Sequence, residues 1–456
     1  MFRDATSLIN KNPVQRNYGV AVGQLRHQGE FELLVAGYTG RNLVFAWDGT
    51  RFTELETTSI ADSERQAIGI ASADVNGDGT EEVYVLNTDT FAGRKRFADR
   101  LFAGNGSDAW TNLFDDPENE RSRNLTAGRS VAVVDRTGNG RYGFFVANYG
   151  GPMRLYEVND RHVVDVAEEA GVALSTGGRG VIAAPILTPQ MDIFCVNENG
   201  PNFLFENQGD GTFKETAARR GVADRYEHGR GVDAIDHGEG GPFGVVYGNW
   251  QGRHRLFAQQ SGGSFLDVTP DAMASPSRVR TVIAADFDND GYQEVFFNNI
   301  GEPNRLFAQR DGSWVQIDAG DATEPQGLGT GAAVADFDGD GRLELFVAHG
   351  ETGAQPLSLY HSRGASDNHH YIRIAPLTKH GAPARGAVVT CTASGRTQRR
   401  NVDAGSGYLC QMEPVAHFGL GTTDTAEEVE VRWPDGTTHR LEEPEVDQLH
   451  SIPYPN

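Results

Sequence analysis

Asp336-Phe337-Asp338-Gly339-Asp340-Gly341, followed by Arg342-Leu343-Glu344-Leu345-Phe346-Val347, is the stretch on which the fold turns. Asp336, Asp338 and Asp340 stand at positions 1, 3 and 5 of a tight loop, where carboxylates converge on one centre. Gly341 at position 6 permits the sharp turn, and the backbone carbonyl of Arg342 at position 7 adds an oxygen. Glu344, at position 9, brings a further carboxylate as the next strand begins. Such an irregular all-oxygen set suits a hard cation, and calcium tolerates it better than magnesium. A single copy also reads as a solvated Asp-Gly hairpin turn between strands.

The pattern recurs, which favours the metal loop. Asp286, Asp288, Asp290, Tyr292 and Glu294 form a second full set, and Asp74, Asn76, Asp78, Thr80 and Glu82 a third. A fourth copy at 135–140 keeps Asp135 but has Gly143 in place of the last carboxylate, which predicts weak binding or none. Position 12, where an EF-hand needs its bidentate glutamate, holds Val85, Phe297 and Val347 in the full copies. The loops therefore join strands and do not belong to helix–loop–helix units.

Aligned on position 1, the chain repeats at Gln24, Asp74, Asp135, Pro185, Asp236, Asp286 and Asp336, about fifty residues apart. Small apolar residues precede each loop, as in 129–134, and a second apolar run follows it, as in 294–299 and 343–349. A third run carries a Leu-Phe or Leu-Tyr pair, and a fourth begins with a glycine turn and an aromatic. Four short strands at this period are the signature of a propeller blade. The second repeat carries extra polar residues within 88–127, which read as a surface loop; its matches to the glycosylation sequon at Asn105 and Asn124 are of a kind expected by chance at this length.

The seventh repeat lacks a fourth strand after 357–362, and residues 2–6 match 265–269 at their phenylalanine, aspartate and threonine. The amino terminus is thus expected to supply the outer strand of the last blade and to close the ring. The expected fold is all-β: a seven-bladed β-propeller over 1–364 and a compact β domain over 365–456, where alternating strands replace the repeat.

The whole-chain numbers agree with this reading. Glycine, at 56 of 456 residues, signals many turns. A net charge of -23 argues against nucleic acid and anionic membranes as partners. No apolar run approaches the length of a membrane-spanning helix. Met1-Phe2-Arg3-Asp4 leads into nothing like a signal peptide.

Gly405-Ser406-Gly407-Tyr408, His417-Phe418-Gly419-Leu420-Gly421 and the run from Val429 to Gly436, joined to these repeats, resemble the cartilage acidic protein (ASPIC/UnbV) family. That family carries FG-GAP or VCBS repeats in an integrin-like propeller. The resemblance covers nearly all of the chain. It implies an extracellular, calcium-stabilised, adhesion-like protein with no defined catalytic site; the lack of a leader keeps a cytoplasmic setting open.

No Gly-x-Ser-x-Gly elbow, phosphate loop, HExxH or CxxC motif occurs. His369 and His370 adjoin, but neighbours on a strand point to opposite faces, against a shared metal. Cys391 and Cys410 fall within the C-terminal domain, where a disulfide competes with buried free thiols; Cys195 reads as a core thiol. One further pattern emerges only on alignment. Six residues before the loop position stand Tyr18, Ile68, Arg129, Arg179, Arg230, Arg280 and Thr330. Arginine thus recurs at the entry to the innermost strand of consecutive blades, at the channel mouth opposite the calcium loops. Tyr38, Tyr149 and Trp250 come from the next loops at that mouth.

These arginines either pair with carboxylates of neighbouring blades or hold a ligand. The function expected is a calcium-stabilised binding or adhesion-like module with a protein or small anionic ligand at this face. The alternative is an isomerase, cyclase or lyase using the mouth as its active site.

Overall fold

In the computed structural model all residues are described except 27, 57, 105–108, 238–239, 364–367 and 456. The sequon at 105–107 and the expected domain junction at 364/365 lie outside the described residues. The repeat region is β-propeller-like. Its described strands form seven units of four, each an antiparallel meander running from an innermost to an outermost strand. The third and fourth units merge into one sheet where Gly143–Pro152 pairs with Ser175–Ala184. The innermost strands are Asn17–Gly23, Ala67–Ala73, Gly128–Val134, Ser175–Ala184, Gly229–Ile235, Val279–Ala285 and Gly329–Ala335. Each packs on the next, and the last packs on the first, so they form a closed circuit.

Burial falls off from the inside outward, and composition follows it. Val279–Ala285 and its partner Glu294–Asn299 are buried along their whole length. Small and apolar side chains fill most of these positions, hence the alanine, valine and phenylalanine, and the buried polar exceptions stand at the strand ends, as Arg280, Glu294 and Asn299 do. The outermost strand Phe265–Asp267 buries its phenylalanine and exposes the next two residues. The outer strand of the seventh unit is Phe2–Asp4, paired antiparallel with Ser358–Ser362. Phe2 is buried edge-on against Phe287, ring centroids 4.9 Å apart, and so ties this unit to the sixth.

Each innermost strand shifts register against its neighbour at one common place, for example between Gly128 and Ser130 and between Val279 and Thr281. These β-bulges coincide with the aligned arginine position. A bulge turns a side chain out of the regular alternation, here into the channel mouth. Asn124, of the second sequon, is buried and its amide donates to Asp99 at 2.7 Å, so the surface location expected of a sequon does not hold there.

The C-terminal region forms two sheets. One places Ala416–Gly421 and Leu449–Ile452 on either side of His370–Pro376; the other runs Arg396–Asn401, Val388–Ala393, Glu428–Arg432, Thr438–Glu442. Their apolar faces share a core containing Ile372, Ile374, Val389, Phe418, Val431 and Trp433.

One segment leaves this core. Residues 404–412 enter the propeller channel and bond to the innermost strands. Val133 N donates to Ala404 O, Val232 and Gly407 exchange backbone bonds, and Val22 N donates to Gln411 O while Gln411 N donates to Val20 O. Gly407 has φ +64 and sits so close to Thr281 that a Cβ would lie 2.9 Å from its methyl carbon; glycine is required on both counts. This segment corrects one expectation. Cys391 and Cys410 form no disulfide, because Cys391 lies in the core of the small domain while Cys410 is carried into the channel. All three cysteines are buried free thiols, and burial pushes Cys391 up to about 12 and Cys410 up to about 11.

Candidate functional site

The two candidate sites lie at opposite ends of the innermost strands. At the exit end are the carboxylate loops. Ligand oxygens of Asp286, Asp288 and Asp290 lie within 4.8 Å of one another, as do those of Asp336, Asp338 and Asp340. Backbone groups shape each turn: Gly291 N donates to Asp286 Oδ2 at 2.9 Å and Gly341 N to Asp336 Oδ2 at 2.9 Å. Phe287 N and Phe337 N, each at 2.9 Å, hold one oxygen of Glu294 and Glu344 respectively, which turns the other oxygen inward. Asp286 Oδ1 and Glu294 Oε1 are buried without a hydrogen-bond partner. Glu344 Oε1 faces His361 Nδ1 at 3.2 Å, and that imidazole joins Asp338 and Glu344 in a cluster that sequence spacing did not reveal.

Burial, with neighbouring carboxylates adding to it, pushes the acids up: Asp286 to about 7, Glu344 to about 8 and Glu82 to about 9. Oxygen atoms that are buried, unpartnered and reluctant to ionise side by side are what a hard cation would satisfy. Tyr292 and Arg342 stand at position 7, each with its backbone N–H tied at 2.8 Å to the position-5 aspartate. In the 74–82 loop, Asn76 Nδ2 donates to Asp78 and to Glu82, and Thr80 N donates to Asp78 Oδ1 at 2.8 Å. Asn76 must turn its oxygen inward there to serve a metal. In the 135–140 turn Asp135 accepts from Gly140 N at 2.7 Å and Asn139 Oδ1 accepts from Arg141 N at 2.9 Å, so Asp135 supplies the only carboxylate of that loop.

The C-terminal sheets sit on this loop face. Gly419 N donates to Asp286 Oδ2 at 2.9 Å, and His417 Nε2 meets Asn289 Oδ1 at 2.7 Å. Arg373 pairs with Asp336 at 2.9 Å, and His369 Nδ1 meets Asp288 O at 2.8 Å. His370 turns instead to Asp447, so the adjacent histidines have separate partners. Arg385 is fully buried against Glu81, the neighbour of Glu82, with Nε 2.6 Å from the carboxylate.

At the entry end lies the arginine mouth, a cavity of about 390 Å³. Arg129, Arg179, Arg230 and Arg280 line it, all buried, and Tyr408 from the channel segment forms part of its lining. Glu198 takes Arg179 through Nε at 2.8 Å and Arg230 through Nη2 at 2.8 Å. Those two guanidiniums outweigh burial and hold Glu198 down to about 2. Glu351 takes Arg280 at 2.9 Å and accepts from the Tyr18 hydroxyl at 3.3 Å.

Tyr149 lies 4.7 Å from the Arg179 guanidinium, and Trp250 lies 4.3 Å from that of Arg280. Tyr38 packs on Tyr18, centroids 5.2 Å apart. Sequence reasoning named these arginines and aromatics but missed Glu198, Glu351 and Tyr408. The two glutamates come from the same class of loop as Tyr149 and Trp250, one place to either side of the aligned position. Tyr408 arrives from the C-terminal domain, and nothing local in the repeat marks it.

The FG-GAP-like repeat matches residues 28–85, 245–297 and 286–347, and the ASPIC and UnbV family matches residues 377–456. Among solved structures, the BP39L lectin from Burkholderia pseudomallei shares the fold, with a TM-score of 0.51 and 14% identity over 77% of this chain and 98% of that one. Cartilage acidic protein 1 of Mus musculus is 46% identical over 98% of this chain and 75% of its own length. The Homo sapiens protein of that name is 45% identical over 98% of this chain and 73% of its own. At that identity and coverage, the chain belongs to the cartilage acidic protein family.

Proposed function

We propose that the chain is a seven-bladed propeller whose calcium loops and C-terminal domain brace one another, and that it serves as a binding or adhesion-like module with its ligand face at the arginine mouth. The observation that carries this reading is the seating of the C-terminal domain on the carboxylate loops. Gly419 and Arg373 bond the position-1 aspartates of two loops. Ions held by Asp74, Asn76, Asp78 and Glu82, by Asp286, Asp288, Asp290 and Glu294, and by Asp336, Asp338, Asp340 and Glu344, with the carbonyls of Thr80, Tyr292 and Arg342, would order the surface on which that domain rests. Calcium would supply charge neutralisation and loop rigidity, with no chemical step.

With one face so engaged, the mouth is the face that presents ligand-like chemistry: buried arginines, and beside them Phe91, 66% exposed. Guanidiniums fixed by carboxylates are suited to holding an anion, which favours binding over an isomerase, cyclase or lyase. An extracellular setting, where modules bind calcium at about 10⁻⁴–10⁻³ M, agrees with the family. The test is melting in chelator against melting in millimolar calcium. At about 1 mM calcium, one to ten times those dissociation constants, each site adds about 0.4–1.4 kcal/mol to the folded form. Identical melting under both conditions rejects the calcium role.

A further inference from the structure

We infer that the arginine mouth binds one oxyanion group, a carboxylate, sulfate or phosphate, carried on a flat apolar body. This deepens the binding reading above and makes no use of calcium.

The charges at the mouth do not balance. Glu198 serves both Arg179 and Arg230, and Glu351 serves Arg280. Arg129 has no carboxylate among the described residues. Its Nη1 donates to the carbonyl of Gly128 at 3.2 Å and its Nη2 to that of Phe91. Asp89 stands at the rim, but Arg96 takes it at 3.5 Å. Four guanidiniums thus face two available carboxylates. Among the described residues, the Nε atoms of Arg129, Arg230 and Arg280 are buried with no hydrogen-bond partner. Burying such donors unpaired is costly, and a planar guanidinium matches an oxyanion through parallel hydrogen bonds.

The electrostatics agree with the geometry. Burial, then the neighbouring Arg179, lowers both Arg129 and Arg230, the latter to about 10. Burial alone would raise the Tyr408 hydroxyl, yet the four arginines outweigh it and lower it.

Size and walls describe the rest of the ligand. The cavity of about 390 Å³ falls in the range of organic-ligand pockets, roughly 300–1,000 Å³. Phe91 and Tyr149 meet at 5.2 Å on the Arg129 side, and Trp250 lies across the mouth. These faces suit a flat body whose anionic end reaches Arg129. The segment carrying Tyr408 occupies the channel beyond, so the ligand stops at the mouth.

The experiment is calorimetric titration of the full chain in low chloride with benzoate, phenyl sulfate, phenyl phosphate and inorganic sulfate. At least one aryl anion should bind tenfold or more tightly than inorganic sulfate. Arg129→Gln should weaken it at least tenfold, while Arg219→Gln, at a salt-bridged arginine with its side chain 62% exposed, should change nothing. On the unaltered protein, the bound anion should protect Arg129 from phenylglyoxal, read by mass spectrometry, so the test does not depend on a variant folding.

A short phosphotyrosine peptide separates the sources. Tighter binding of the peptide than of phenyl phosphate assigns the group to a partner's side chain, and the reverse assigns it to a free small molecule. The inference is overturned if no aryl anion binds below about 1 mM, or if Arg129→Gln binds as well as the parent. Should anion binding fail while chelation still lowers melting, this inference alone falls; the converse result removes only the calcium reading.

Discussion

Arg385→Met is the most direct probe of how the C-terminal domain holds the propeller. Both Arg385 and Glu81 have fully buried side chains. The guanidinium meets Glu81 through Nε at 2.6 Å and Nη2 at 3.2 Å, and donates to Val22 O and Asp403 O, each at 2.9 Å. Methionine fills much of the volume but leaves Glu81 buried without its counter-charge. Breaking such a pair from one side costs about 3–5 kcal/mol.

The cost should be largely recovered by removing the second charge. Glu81→Gln keeps an oxygen for Gln24 N at 2.7 Å and for Ser72 Oγ at 3.0 Å. The double variant should therefore be more stable than Arg385→Met alone, and the cycle should give a coupling of about 0.5–3 kcal/mol between the two sites. Denaturant unfolding of all four proteins, followed by tryptophan fluorescence at fixed calcium, gives the cycle. A loss under about 1 kcal/mol for Arg385→Met, the scale of an exposed pair, would refute the reasoning. So would a double variant no more stable than the single.

Deleting residues 1–5 removes the strand paired with Ser358–Ser362 and uncovers Phe287; earlier melting and aggregation are expected, and equal solubility and melting would count against a bracing role. Alkylation after unfolding without reductant should label Cys195, Cys391 and Cys410 separately, and a linked 391–410 peptide in the mass spectrum would contradict the arrangement of the channel segment. Glu198 is held down to about 2, so its contribution is present above the ordinary carboxylate range and fades as pH falls toward 2. The stability gap between the parent and Glu198→Gln should accordingly be widest near neutrality, narrow below the ordinary carboxylate range and close only below about pH 2; a gap that grows on acidification would show that the sign is wrong.

The repeat was legible because a four-strand unit imposes the same burial gradient each time, and the gradient selects residues directly. The small apolar residues at 331–335 and the longer ones at 343–347 need no tertiary information to be read as inner and second strands. The partner of Phe2–Asp4 also has a local signal, in the match between 2–6 and 265–269. Other features depend on contacts across hundreds of residues. The bulges that direct Arg129 and Arg280 leave no mark in composition. Glu198 and Glu351 sit one place off the aligned position, where each alone reads as an exposed loop acid. Cys391 and Cys410 lie nearby in sequence, and that proximity suggested a bond. What separates them is the departure of residues 404–412 from their own domain, a tertiary event that a linear distance does not register.

The strand Phe2–Asp4 has a consequence for how the molecule is made. Phe2 leaves the ribosome long before Ser362, the residue opposite it. The strand Phe2–Asp4 therefore waits without its sheet partner until the far end of the repeat region has been synthesised. Residues 404–412 follow later still, to enter a channel whose wall is completed only when Gly329–Ala335 packs on Asn17–Gly23. Contacts of such long sequence separation form slowly, because the loop-closure entropy must be overcome before they contribute. A segment that emerges well before its partner is thus among the last to be fixed in place, and throughout that interval its unpaired backbone is open to a chaperone or another copy.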